Sequence, residues 1–395
     1  MDWVVFGEDW GAHPSSTQHL LRSALASGTE RVIWIDSIGL RRPRLTRHDV
    51  GRLWRKLLQT LGALLVRRRT ESDADAPAEP QEQWTNLLVL RVLILPFPGV
   101  RWLEPINGWL LRRQIEPHMR RMGFRDTNLW VSLPSALPAL DTLPHARAVY
   151  YCCDDFEHLA GVDHGAVRDL ELRLVERADV VLCSSEALCR KLGPASVLLP
   201  HGVDTELFAT SGECPAPLQS LQGRRIAGFY GSISEWIHIE RLAAVATLKP
   251  AWEFVLVGHV ATDIRPLEGL PNVTLLPPVP HHDLPAYVHR FDAALLPFRD
   301  NGQIRACNPL KLREYLAAGV PVISAEFEAL EPYLDLVQVA VSAEALGDAL
   351  DTVAAMPPEG RSALGQRCRE RVAEESWDAR FRSAKDAVAN CKTHT

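Results

Sequence analysis

Short apolar runs alternate with longer segments of helical period along the whole chain, at 3–6, 31–35, 87–95, 128–133, 147–152, 179–183, 225–230, 253–258, 272–276, 292–297 and 320–324. Strands separated by helices in this way predict an α/β chain. Ala178-Asp179-Val180-Val181-Leu182-Cys183 and Glu253-Phe254-Val255-Leu256-Val257-Gly258 are apolar at successive positions rather than at alternate ones. Both faces of such strands must be covered, which predicts parallel sheets between helix layers. Residues 204–224 interrupt the series with Thr210-Ser211-Gly212-Glu213-Cys214-Pro215-Ala216-Pro217, a composition without period that suits an interdomain linker. The pattern predicts two doubly wound halves facing a shared crevice. Ligands of such folds bind at the carboxyl ends of strands, so chemistry is sought in strand-to-helix loops.

Composition narrows the class. The chain has 395 residues, 47% hydrophobic and 23% charged, which excludes disordered and fibrous classes. A formal charge of −6 provides no global basic field for a dedicated nucleic-acid binder. Eight cysteines without Cys-x-x-Cys or paired histidine spacing read as thiols of a reducing compartment rather than as zinc ligands or a disulfide framework. Met1-Asp2-Trp3-Val4-Val5-Phe6 carries an acid where a signal peptide needs basic residues, so a cytoplasmic protein is expected. The most apolar stretch, 87–97, is interrupted by Arg91 and Pro96, too soon for a membrane span.

The segment Asn308-Pro309-Leu310-Lys311-Leu312-Arg313-Glu314-Tyr315-Leu316-Ala317-Ala318-Gly319 reads as a short helix capped by Asn308, with Pro309 at its first position and Gly319 at its end. Lys311 and Glu314 share one face, while Leu312 and Leu316 share another. Free amides at a helix start together with a lysine suit a diphosphate, and a carboxylate one turn deeper suits ribose hydroxyls. The same pair also suits a surface ion pair worth a few tenths of a kcal/mol. Gly231, after the strand 225–230, allows close approach of backbone to a ligand, or simply a tight turn. Neither the dinucleotide fingerprint nor a Walker A lysine is present.

In the first half, Asp154 and Asp155 follow the strand ending at Cys152-Cys153. One can act as a base towards an acceptor hydroxyl while the other caps or pairs, and both can equally be structural. The first strand-to-helix loop holds Asp9, Trp10, His13 and Ser16 as candidate acceptor contacts, with a helix opening at Ser15 or Ser16. Ten basic residues between Arg41 and Arg69 flank leucines and Trp54 at helical spacing. That pattern suits a helix on an anionic membrane surface, and equally a helix packed on the domain with solvated charges. Beyond it, through residue 85, an acidic Pro- and Ala-rich stretch reads as a mobile loop, and its Asp73-Ala74-Asp75 as composition rather than a metal motif.

With these residues in view, the chain resembles the bacterial GT-B glycosyltransferases, close to the teichuronic-acid and xanthan glucuronosyltransferase group of polysaccharide assembly. The resemblance rests on 178–185 followed by Pro200-His201-Gly202-Val203-Asp204-Thr205-Glu206-Leu207-Phe208, on Gly231-Ser232-Ile233, on Gly269-Leu270-Pro271-Asn272-Val273 and on 309–322. It implies two Rossmann-like domains, an acceptor domain at 1–203 and a nucleotide-sugar domain at 225–375, with 376–395 as a helix crossing back to the first. It implies no metal requirement. Donor contacts carried over are Gly231, Ser232, Ile233, Pro278, Val279, Asn308, Pro309, Leu310, Lys311 and Glu314, with 276–279 against the nucleobase. His201 replaces the commoner Asn and reads as hinge structure. Retaining relatives carry Glu-x7-Glu ending at the position of Glu314, yet Ala306 occupies the first place. Asp154 or Asp155 matches the base of inverting relatives, so inversion is expected. The implied function is transfer of a sugar from a nucleotide diphosphate, UDP-linked by expectation, to a lipid-linked saccharide. Its implied place is the inner face of the cell membrane, held there by residues 41–69. A non-catalytic assembly protein and a nucleotide-sugar epimerase of the same fold remain the alternatives.

Overall fold

The structure, a computed structural model, describes residues 1–11, 15–38, 84–158 and 164–391. His13 and the basic stretch 41–69 lie outside the described residues, as does most of the acidic segment after it. The chain divides into two compact units, Met1–Cys183 with Cys189–Leu198 and Ala384–Thr395, and Ser184–Leu188 with Leu199–Ser383.

Among its described residues the first unit has a seven-stranded parallel sheet. Its strands are β1 (Asp2–Phe6), β2 (Arg31–Ile35), β3 (Leu87–Leu90), β4 (Thr127–Val131), β5 (Arg147–Cys152), β6 (Val180–Cys183) and β7 (Val197–Leu198), in the order β3-β2-β1-β4-β5-β6-β7. The order reverses between β1 and β4, the place where doubly wound sheets open a binding crevice. Phe6 stands opposite Val131, and Val131 opposite Tyr150. The chain therefore leaves β1 and β5 at one end of the sheet, which carries both loops of interest. Trp3, Trp130 and Tyr151 are fully buried and meet edge to face at 6.0 and 5.4 Å, geometry that aromatic quadrupoles favour. Residues of the last helix, Trp377–Asn390, belong to this unit from Ala384 onward, where Lys385 pairs with the buried Glu30 at 2.6 Å.

The second unit has a six-stranded parallel sheet of β8 (Arg225–Tyr230), β9 (Trp252–Val257), β10 (Val273–Leu276), β11 (Ala293–Leu296), β12 (Val322–Ser324) and β13 (Val337–Val339), in the order β10-β9-β8-β11-β12-β13. Residues 204–224, read above as a linker, contain the helices Thr205–Ala209 and Ala216–Gln219. Phe208 and Leu218 are buried in the core of this unit, at roughly 1.5–3 kcal/mol each.

Other departures from the sequence pattern have local causes. The run 87–95 is strand only as far as Leu90, because side chains take over the backbone beyond it. Gln114 binds Leu93, and Asn107 binds both the amide and the carbonyl of Leu95. Strands β7 and β13 are two and three residues long, too short to show a period. Asn308 does not cap the helix that follows. Pro309 stands at the cap position, and the Asn308 side chain accepts from Arg313 instead. None of the eight cysteines is in a disulfide. Among the described residues no helix is long and apolar enough to cross a membrane.

Candidate functional site

In the second unit the site starts from two glycines. β8 and β9 end side by side at Gly231 and Gly258, with φ of +121° and +153°, conformations that side chains rarely adopt. A Cβ on Gly258 would overlap the carbonyl of Gly231, and one on Gly231 would overlap Cε of Lys311. The close approach leaves room for the Lys311 side chain to lie over the strand end, with Nζ 5.8 Å from the centre of the Phe229 ring. Backbone bonds from Gly231 N to Val257 O and from Ile233 N to His259 O, both 2.8 Å, pin the loop.

Lys311 opens the helix Leu310–Ala318, which Gly319 closes at φ +73°. No side chain caps its start, so the first amides remain donors for an anion. Among the described residues Lys311 has no hydrogen-bond or ion-pair partner. Burial holds its ammonium below the usual lysine range, with Glu314 and Cys307 pulling the other way. Glu314 is buried and accepts from Tyr230 Oη at 2.6 Å and from His281 Nε2 at 2.8 Å. Burial alone would raise its carboxyl, but His281, Tyr230 and Lys311 hold it below the usual range. Arg313 anchors the helix start through Asn308 and Glu375. The Nδ1 of His201 donates to the Asn308 carbonyl at 2.6 Å. Burial, then the charge of Arg313, lowers that imidazole to about 3, so it is neutral and Nε2 has no partner among the described residues. Gly231→Ala is expected to displace Lys311 and to cost about 2 kcal/mol in backbone strain, a fall of roughly 4–8 °C in a thermal melt.

In the first unit the loop after β1 is pinned at several points. Trp10 N donates to Asp36 at 2.9 Å, Ser37 N to Asp9 at 3.1 Å, and Gln18 Nε2 to the Asp9 carbonyl at 3.0 Å. Ser15 caps the helix Ser16–Ala26 through Gln18 N, which buries Ser16. Asp9 stays exposed and Trp10 half-buried against Trp34.

The two neighbouring acids after β5 have opposite surroundings. Asp155 is buried and bonded to His158 Nδ1 at 2.6 Å and to Lys191 Nζ at 2.7 Å, and Lys191 also holds Glu171 at 2.9 Å. Burial would raise the Asp155 carboxyl, yet Lys191 and His158 bring it below its usual range. Asp154 is exposed and pushed up to about 6 by the protein around it, then by the charges of Glu8 and Asp155. Water offsets part of that dehydration, so the acidic neighbours are the firmer cause. The depressed Asp155 value contributes stability above its usual pKa that is lost as pH falls through the folded value. Lys191→Ala removes the cation shared by two buried carboxylates, which keep His158 and the Tyr150 hydroxyl, and is expected to cost about 3 kcal/mol, the low end for a broken buried pair because Lys191 keeps some solvent access. The Tm should fall by roughly 6–12 °C at pH 7, and less at pH 4.

The structure thus brings Gly231, Lys311, Leu310 and Glu314 together, and Asp9, Trp10 and Asp154 to loops at one end of the first sheet, with Ser16 opening the helix after the first of them. Ser232 follows Gly231 half-exposed, and Ile233 is fully buried. Pro278 and Val279 lie half-buried in the loop after β10, with Val279 on the core. Sequence reasoning missed Glu8, Lys191, Tyr230, His281 and Arg313. His281 had one signal, its place in Val279-Pro280-His281-His282-Asp283 just beyond a strand.

Residues 224–355 match the family model described as Glycosyl transferases group 1. A teichuronic acid biosynthesis glycosyltransferase of Bacillus subtilis strain 168, TuaH, is 31% identical over 217 residues, covering 49% of this chain and 54% of that protein. The chain therefore spans about half the length of that relative. Sucrose-phosphate synthase from Thermosynechococcus elongatus superposes with a TM-score of 0.66 at 18% identity over 98% of both chains. Anabaena Alr3699/HepE in complex with UDP superposes with a TM-score of 0.66 at 13% identity, over 98% of this chain and 100% of that one.

Proposed function

From a chain that has the GT-B glycosyltransferase fold and carries a glycosyl transferases group 1 domain in its second unit, we propose a glycosyltransferase that moves a sugar from a nucleotide diphosphate to a saccharide acceptor in polysaccharide assembly. The observation that carries this is Lys311, without a hydrogen-bond or ion-pair partner among the described residues, at an uncapped helix start and laid over Gly231 with Glu314 one turn deeper. A cation and free amides meet the charge of a leaving diphosphate as it develops. Glu314, tied to Tyr230 and His281, keeps acceptor capacity for donor hydroxyls. The UDP complex of HepE supports UDP as the donor nucleotide.

Asp154 takes the base role. A carboxylate titrating near 6 is ionised at neutral pH and basic enough to receive a proton from an attacking hydroxyl. Asp155 positions the turn through Lys191 and His158. One direct displacement with such a base inverts the anomeric centre. The relative TuaH, named for teichuronic acid biosynthesis, supports a saccharide of polysaccharide assembly as acceptor, and we take that acceptor to be lipid-linked, with the basic stretch 41–69 of the sequence as the chain's contact with the inner membrane face. No metal is assigned a role.

A thermal-shift titration with UDP, GDP and ADP tests the donor site, since a ligand at 100 times its Kd adds about 2.7 kcal/mol to stability. Product analysis with UDP-sugars and a lipid-linked acceptor then tests transfer. Stabilisation by none of the three nucleotides would overturn the donor assignment. Nucleotide binding without transfer would point to a non-catalytic assembly protein, and acceptor-independent change of the donor sugar to an epimerase.

A further inference from the structure

One face of the first unit carries chemistry that sugar transfer does not use. The helix Glu104–Arg121 turns Leu111, Ile115 and Met119 into the core. Its other side is open. Trp102, in the turn that enters the helix, is 72% exposed, Trp109 is 56% and Ile106 42%. Positions 102, 106, 109 and 113 repeat at helical spacing, so the three apolar groups and Arg113 form one stripe. Phe97, in the preceding loop, is exposed as well. Single exposed apolar residues are ordinary, but two open indoles in one stripe are not.

The charge on this face has one dominant sign. Arg112, Arg113, Arg120 and Arg121 are all exposed. Glu116 is shared between Arg112 at 2.8 Å and Arg120 at 2.6 Å, and Glu104 is committed to Arg173. No carboxylate of a described residue pairs with Arg113 or Arg121, and Arg113 lies over the Trp109 ring at 5.6 Å. Trp109, Arg112, Arg113, Glu116, Pro117 and Arg120 line a surface recess of about 370 Å³.

We propose that this face seats on the headgroup layer of an anionic lipid bilayer. Indoles place their apolar body and N–H where hydrocarbon meets headgroup, and guanidinium forks take phosphate oxygens in pairs. A second copy of the chain is a poor occupant, because a self-complementary interface would press these arginines against their own counterparts. The surface extends the membrane reading above by naming a contact apart from residues 41–69, and its test needs neither donor nor transfer.

The test is sedimentation of the full chain with phosphatidylcholine vesicles, with and without phosphatidylglycerol. Wild type is expected to bind the mixed vesicles. Trp102→Ala with Trp109→Ala should weaken partition by roughly tenfold. Arg112→Gln with Arg113→Gln should weaken it by roughly 30-fold at low salt and less at high salt. Both pairs should keep the wild-type Tm and UDP affinity, since the four side chains are exposed. Absence of vesicle binding, or binding that both variants retain in full, would overturn the proposal. So would a dimer in analytical ultracentrifugation that the tryptophan variant abolishes. Loss of vesicle binding alone would leave the donor site and transfer to a soluble acceptor unchanged, which separates this failure from that of the glycosyltransferase reading.

Discussion

Lys311→Ala should weaken UDP binding by roughly 10- to 150-fold, the equivalent of about 1.5–3 kcal/mol for a charge-assisted contact. At a UDP concentration 100 times the wild-type Kd, wild type gains about 2.7 kcal/mol of stability, whereas a variant with 100-fold weaker binding gains only about 0.4 kcal/mol. The unliganded melt should move little or slightly upward. Among the described residues Lys311 has no hydrogen-bond or ion-pair partner to leave stranded, and its charge is held against the cost of burial. Titration of both proteins in parallel separates a binding defect from a folding defect. An undiminished UDP shift in the variant would remove Lys311 from the donor site.

Asp154→Asn is expected to lower kcat by roughly 10²- to 10⁴-fold, the usual worth of a positioned base, with UDP affinity unchanged. The pH profile carries the sharper signature. With the carboxyl near 6, wild-type kcat/KM should rise through about pH 6 as the base ionises, and the variant should lose that limb. Glu8→Gln removes a neighbouring negative charge, favours the ionised form and should shift the limb to lower pH. Stability runs the other way. A carboxyl raised in the folded state contributes stability at low pH that is lost as pH rises through about 6. The Asn variant should therefore be at least as stable as wild type at pH 7. Full activity in Asp154→Asn would end the base assignment. Asp155→Asn would instead be expected to lower the Tm, since it breaks the contacts to Lys191 and His158.

The limits of sequence reading are visible within this one site. Asp154 and Asp155 are adjacent and chemically identical, and nothing local ranks them. Lys191, 36 positions beyond Asp155, takes one acid, and the protein around the other, together with Glu8 beyond the end of another strand, raises it. The partners of Glu314 are equally remote, with Tyr230 and His281 lying 84 and 33 positions away. The stretch 204–224 failed for a related reason. Helices of five and four residues are shorter than the window in which a period can be seen, and only packing shows that Phe208 and Leu218 are core.

What depends on neighbours three or four positions apart was legible from the residues alone. The apolar runs marked the long strands, Ser15 or Ser16 the start of the first helix, Gly319 the helix end, and the spacing of Lys311 and Glu314 their common face. Such features follow from backbone geometry and local hydrogen bonding, which every residue carries with it. Partner choice does not. Which carboxylate is neutralised, which lysine stays unpaired and which glycine yields room to a side chain depend on strand order and register. Those are set by burial of the two sheets as wholes, and they bring together groups that no local pattern connects.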